Sequence, residues 1–266
     1  LKRVELDNGV RIPFIYHKDK NPGMGRGRTL LPYAAEAKEG NNKTHIHRAV
    51  VTKDGHVAFV AAAAPYGKQG TRGVFVIHGD GSVPAEGVIK TIFETGTVSA
   101  SLALSPDEKT VYASDVKKNK PFNTVYRFAW DDKKAQPFIS TGLDDPKGIA
   151  VDSKGNVYIA DKGNNRIAVF KPDSTLLGEL KVEKPERVEV HPRTGAVYVL
   201  AGAKCEHLMK FNSWKEAQPA VQAKLRPSRT GMLALDASDD PAVLWVSSST
   251  TYPAFMLLRI EDKGDS

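Results

Sequence analysis

Asp145-Pro-Lys-Gly-Ile-Ala-Val-Asp-Ser-Lys-Gly-Asn-Val-Tyr-Ile-Ala-Asp-Lys-Gly-Asn-Asn-Arg-Ile-Ala-Val-Phe170 decides the fold of this 266-residue chain. A short apolar run, Gly148 to Val151, leads into a polar turn that closes on Gly155. An alternating run, Val157 to Asp161, follows, and after the Asn164-Asn165 turn comes a third, Arg166 to Phe170. Asp, Asn and Gly suit such turns because the first two bond nearby backbone N–H groups and Gly accepts positive φ. The pattern reads as consecutive antiparallel strands.

Working outward, the same strand–turn–strand grammar recurs at 48–60, 102–114 and 187–199. A weaker copy joins Met232–Asp236 to Ala242–Val246. Equivalent apolar anchors are Val57, Val111, Val157, Val197 and Leu244, spaced 54, 46, 40 and 47 residues apart. That period fits four short strands and their turns, the content of one propeller blade. Third strands are expected at 73–77, 124–130, 166–170, 207–211 and 255–260, and fourth strands at 88–93, 137–141, 176–182 and 220–225. No apolar period of 3.6 persists for three helical turns. A lone four-stranded sheet leaves its faces wet, whereas radial stacking buries them. The expectation is therefore an all-β propeller of four-stranded antiparallel blades. A β-sandwich leaves the repeat unexplained. Five copies occupy the domain 46–266. The segment 1–45, with a strand at 10–16 and another near 29–33, is expected to close the ring or supply a partial blade, giving six.

Charge and cysteine narrow the classes. Lys and Arg total 38 and Asp and Glu 31, a net +7. Residues 1–45 carry nine basic and five acidic side chains, so more than half of the excess sits there and the body is nearly neutral. No basic face for nucleic acid is demanded, and the Lys117, Lys118, Lys120 cluster reads as a solvated loop tip. The single cysteine, Cys205, forms no internal disulfide and reads as a small residue near a strand end. The longest apolar run is too short to span a bilayer, so no membrane insertion is expected. The chain begins at Leu1 without a secretory pattern, which points to processing or to a piece of a larger polypeptide or assembly. An extracytoplasmic setting is slightly favoured over others.

The stretch quoted above resembles an NHL repeat, through Pro146, Gly148, Asp152, Gly155, Asn156, Asp161, the Asn164-Asn165-Arg166 turn and Phe170. The other copies keep the strand–turn–strand core without the Asn-Asn-Arg element. They resemble the wider group of NHL-like and YVTN-like propellers. These motif residues have structural duties: Arg166, for example, is placed to pair with Asp161 across the hairpin.

Ligands of propellers gather where loops enter the innermost strands around the channel. Here those positions are His45, His47 and Arg48, then Ser99 and Ser101, Asp145 and Lys147, Glu186 and Arg187, and Arg229 and Thr230. This mixed ring suits a protein, peptide or small polar ligand, and the leading expectation is a non-enzymatic binding module without a cofactor. The alternative implied by the resemblance is a metal-dependent lyase or lactonase. In such propellers, lyases place histidines around zinc and gluconolactonase-like enzymes place acidic and Asn residues around a divalent cation. His45 and His47, two apart on a strand, are the candidate calcium or zinc ligands. RNA binding, known for some animal NHL propellers, is the remaining alternative, and no Arg–aromatic stacking surface supports it.

Overall fold

The computed structural model describes residues 2–5, 11–14, 45–62, 72–80, 101–114, 123–132, 134–227, 230–249 and 255–264. Among these residues twenty strands run in chain order. β1 (Lys2–Glu5) and β2 (Arg11–Phe14) form an antiparallel ribbon of their own. Five meander sheets follow. Blade 1 is β3 (His45–Val51), β4 (Val57–Ala62) and β5 (Arg72–Ile77). Blade 2 is β6 (Leu102–Leu104), β7 (Thr110–Ser114), β8 (Val125–Ala129) and β9 (Gln136–Ile139). Blade 3 is β10 (Pro146–Val151), β11 (Val157–Asp161), β12 (Arg166–Phe170) and β13 (Leu176–Lys181). Blade 4 is β14 (Pro185–Val190), β15 (Val197–Ala201), β16 (His207–Phe211) and β17 (Val221–Lys224). Blade 5 is β18 (Thr230–Asp236), β19 (Val243–Ser249) and β20 (Phe255–Glu261).

The all-β propeller with four-stranded antiparallel blades is therefore the observed architecture. Among the described residues it has five blades and not the expected six. Among those residues β1 and β2 bond each other and join no blade. The strands expected at 29–33 and 88–93 lie outside the described residues.

The repeat has a physical identity in the turn between the first two strands of blades 1 to 4. The residue that opens the turn donates its N–H across the closing pair, from Thr52 to His56, Ser105 to Thr110, Asp152 to Asn156, and His191 to Ala196. Its side chain accepts a second backbone N–H: Thr52 Oγ1 from His56, Ser105 Oγ from Thr110, Asp152 Oδ1 from Asn156, and His191 Nδ1 from Thr194. Four different side chains do one job, because each offers an acceptor one bond or two from Cβ. A positive φ follows at Gly55, Glu108, Gly155 and Gly195, where glycine is the unstrained choice.

Alternating side chains of neighbouring blades interdigitate into four cores. They join blades 1 and 2 around Val60, Val74, Leu102 and Phe128, blades 2 and 3 around Tyr112, Phe138 and Ile159, blades 3 and 4 around Ile167, Val188 and Phe211, and blades 4 and 5 around Tyr198, Leu200, Leu233 and Val246. No such core joins blade 5 to blade 1 among the described residues. The innermost strands β3, β6, β10, β14 and β18 surround a central cavity of about 640 Å³.

Candidate active site in the propeller channel

β14 carries the channel's acidic group. Past a bulge between Pro185 and Arg187, its register is regular, with Arg187 opposite Leu200, Val188 opposite Val199 and Glu189 opposite Tyr198. Strict alternation sends Val188 and Val190 into the core with blade 3 and leaves Arg187 and Glu189 on the other face. In blade 1, a bulge between Ile46 and Arg48 brings Arg48 opposite Val60. Arg48 Nη2 then donates to Glu189 Oε1 at 3.3 Å, joining residues 141 positions apart. Both line the central cavity.

Burial governs the electrostatics of this pair. Desolvation pushes the Glu189 carboxyl up to about 7, although the Arg48 charge and hydrogen bond, and then the Arg187 charge, pull the other way. The side chain still keeps 22% exposure, so water reaches it from the cavity. Arg187 is nine-tenths buried, and desolvation pulls its guanidinium down from the usual value. Its Nη1 bonds the Glu186 carbonyl at 3.0 Å. Among the described residues, Arg48 Nη1 and Arg187 Nε are buried without a hydrogen-bond partner. Each such group carries an unmet desolvation cost in the structure as it stands. At the inner edge, a Cβ on Gly148 would lie 2.7 Å from the Arg187 Cα, so β10 and β14 touch backbone to backbone there.

The remaining entry residues take separate places. Ser101 is fully buried, and its hydroxyl accepts the Ile149 N–H at 3.3 Å, tying blade 2 to blade 3. Lys147 pairs with Asp145 at 2.7 Å. Glu186 is held by Lys162 at 2.7 Å and lies 3.7 Å from Arg187. The side chains of His45, His47 and Thr230, and the whole of Ser99 and Arg229, lie outside what the structure describes. In β3, His47 is the extra residue of a bulge between the pairs Ile46↔Ala61 and Arg48↔Val60. Cys205 is buried, and desolvation pushes its thiol up, away from nucleophile chemistry.

Glu189 was not among the sequence candidates, yet the alignment of copies contains its signal. The residues directly before the partners of the five anchors are Val50, Ala103, Ala150, Glu189 and Ala234. Four small or aliphatic residues and one carboxylate occupy one inward position. That departure from the repeat marks the site.

A divalent cation, which the resemblance implies, needs converging ligands that are free to bind it. Among the described residues no group of three or more His, Cys, Asp or Glu side chains converges. Glu189, Glu186 and Asp145 each face a cation of the protein instead. The described residues do not fit a bound divalent metal.

The family model of the SMP-30/Gluconolactonase/LRE-like region matches residues 20–190, more than half of the chain. Lactonase drp35 of Staphylococcus aureus is 27% identical over 111 residues, covering 39% of this chain and 32% of that protein. The match thus spans about a third of the length of the curated relative. Two solved structures share the fold. A catalytically inactive virginiamycin B lyase from Staphylococcus aureus with quinupristin gives a TM-score of 0.55 at 14% identity, covering 84% of this chain and 73% of that one. A protein of unknown function from Bacteroides caccae also gives 0.55 at 14% identity, covering 83% and 79%. These results support a propeller family but not the NHL repeat specifically. They also correct the leading functional expectation: relatives named as lactonases overturn the non-enzymatic binding module and favour its enzymatic alternative.

Proposed function

Because this chain belongs to the SMP-30/gluconolactonase/LRE-like family, we propose that it hydrolyses a lactone, a cyclic ester, in the central channel. The observation that carries the reading is the Arg48–Glu189 pair, a carboxylate held near neutral pKa beside a guanidinium, two residues that line the cavity. A general base works best when its pKa lies near the operating pH, and burial places Glu189 there.

In this reading the Glu189 carboxylate takes a proton from a water molecule, whose oxygen bonds to the lactone carbonyl carbon. Arg48 donates to the carbonyl oxygen as it gains negative charge. The tetrahedral species collapses with cleavage of the bond to the ring oxygen. That oxygen receives the proton from Glu189 and becomes the alcohol of a hydroxy acid, whose carboxyl then ionises. One water is consumed and one proton is released. Arg48 first sets the charge of the base and then answers the oxyanion, so the two residues act as one unit.

The test is a pH-stat assay of γ-butyrolactone and longer γ-lactones with Glu189→Gln, which keeps the shape and removes the base. A loss of about 100- to 10,000-fold in kcat/KM is expected. Wild-type turnover in the variant would overturn the assignment.

A further inference from the structure

Arg187 is a costly residue with no direct part in the proposed chemistry. Its side chain is only 7% exposed, and a buried charge destabilises the fold unless it is well paired and bonded. Nη1 donates to the Glu186 carbonyl at 3.0 Å, and Nη2 lies 3.9 Å from the Met232 sulfur. The Glu186 carboxylate stands 3.7 Å from Nη1 but is already bonded by Lys162 Nζ at 2.7 Å. On the other side comes Glu189. The register of β14 against β15 is regular from Arg187 to Glu189, so both side chains leave the same face of the strand. Two residues along a strand they start about 7 Å apart. Glu189 in turn accepts from Arg48. Lys162, Glu186, Arg187, Glu189 and Arg48 thus form a row of alternating charge that runs from blade 3 through blade 4 to blade 1. Three cations stand against two carboxylates. Arg187 is the central member, and each carboxylate beside it already has another cation.

We infer that Arg187 is a positioning residue of the reaction: its buried guanidinium, two residues away on the same strand face, holds Glu189 in the charged form that accepts a proton. This rests on the proposed lactone hydrolysis with Glu189 as base. Burial alone favours the neutral carboxyl, and the Arg187 charge acts against it. Among the described residues the charged groups facing Glu189 are Arg48 from β3 and Arg187 from β14. The cavity-lining residues of β6, β10 and β18 are apolar, and Tyr198, opposite Glu189 on β15, turns its hydroxyl to Asp262. The two cations have different duties. Arg48 gives part of its charge to the oxyanion during the reaction. Arg187 stays behind, its backbone pressed against Gly148 of β10, and keeps its charge at any working pH. An apolar side chain of similar length would avoid the desolvation cost, so the charge is explained by its effect on Glu189 and not by stability.

The experiment uses the full chain labelled with carboxyl-13C glutamate. The Glu189 resonance, identified by its loss in Glu189→Gln, is followed across pH in the wild type, Arg187→Met and Arg187→Lys. Arg187→Met should move its midpoint upward by about one pH unit. Arg187→Lys, which keeps the charge, should leave it near the wild-type position. In parallel, kcat/KM for γ-butyrolactone should climb later in Arg187→Met, about fivefold below wild type at neutral pH for a one-unit move. It should still reach the wild-type plateau at high pH. Arg187→Met should also melt at or above the wild-type temperature, whereas a structural role would lower both plateau and melting temperature. Arg187→Gln is a second neutral variant and should show the same displacement. An unmoved midpoint in either folded neutral variant overturns the inference, as does an equal displacement in Arg187→Lys. So does loss of folding in both neutral variants, which would assign Arg187 to the fold. A displaced midpoint in a protein that hydrolyses no lactone would sink the lactonase reading and leave the coupling of Arg187 to Glu189 standing. Glu189-dependent hydrolysis with an unmoved midpoint would do the reverse.

Discussion

Two carboxylate–guanidinium pairs, one in blade 3 and one across the channel, show what separates construction from chemistry in this propeller. Asp161 and Arg166 lie five residues apart on one hairpin, at 2.7 Å. Asp161 is fully buried, and it also accepts from the Asp144 N–H at 2.7 Å and the Asn164 amide at 2.9 Å. Arg166 donates further to Glu179 and to the Gly142 carbonyl. Every charge is answered, and the pair locks the turn. Glu189 and Arg48 meet across the ring with one longer bond and a carboxyl displaced toward neutrality. A satisfied network rigidifies, whereas an incomplete one in a cavity remains available for a substrate.

The sharpest way to break the comparison is to swap the consequences. Glu189→Gln should remove about 1,000-fold of kcat/KM while leaving the melting temperature within a few degrees, as read by calorimetry. Asp161→Ala should do the reverse. Removing one partner of a buried pair costs about 3–5 kcal/mol, roughly 10 °C for a domain of this size. KM of the folded fraction should stay unchanged. If Asp161→Ala destroyed activity without lowering stability, the division between the two pairs would fail.

The pH dependence sharpens the contrast further. A base raised to about 7 must lose its proton to work, so kcat/KM should climb through that pH and level above it. Because Arg48 pulls the Glu189 pKa down, Arg48→Met should move the climb to higher pH. Stability runs the opposite way. The folded protein holds the Glu189 proton over a range, from about 4.5 to about 7, in which the unfolded chain has released it. Stability contributed by this group is therefore present at low pH and falls as pH rises through that window. Denaturant titrations at several pH values should show the slope in the wild type and its loss in Glu189→Gln.

Smaller effects are expected away from both pairs. Gly148→Ala forces a Cβ to 2.7 Å from the Arg187 backbone. It should cost about 1–3 kcal/mol, the range for overpacking. Leu176→Ser changes an exposed side chain on the outermost strand of blade 3, outside the channel. It should alter stability by less than about 0.5 kcal/mol.

The blades were legible in the chain because their determinants are local. Turn residues accept backbone bonds within five positions, and alternation needs only a period of two. The Asp161–Arg166 pair is readable on the same ground, since a hairpin brings i and i+5 together. Bulges at Ile46/Arg48 and Pro185/Arg187 were not legible, because an inserted residue leaves no mark on composition. They decide which residues of β3 and β14 keep the regular alternation. The pairing of β1 with β2 likewise emerged only from the structure.

Sequence by itself determined the blade: its strands, its turns and the apolar alternation that makes four inter-blade cores. The tertiary structure alone decided the site. Arg48 and Glu189 stand 141 residues apart and meet only because the ring brings blades 1 and 4 to one axis. The raised pKa of Glu189 comes from desolvation, a property of how the blades pack around it and not of any neighbour in the chain.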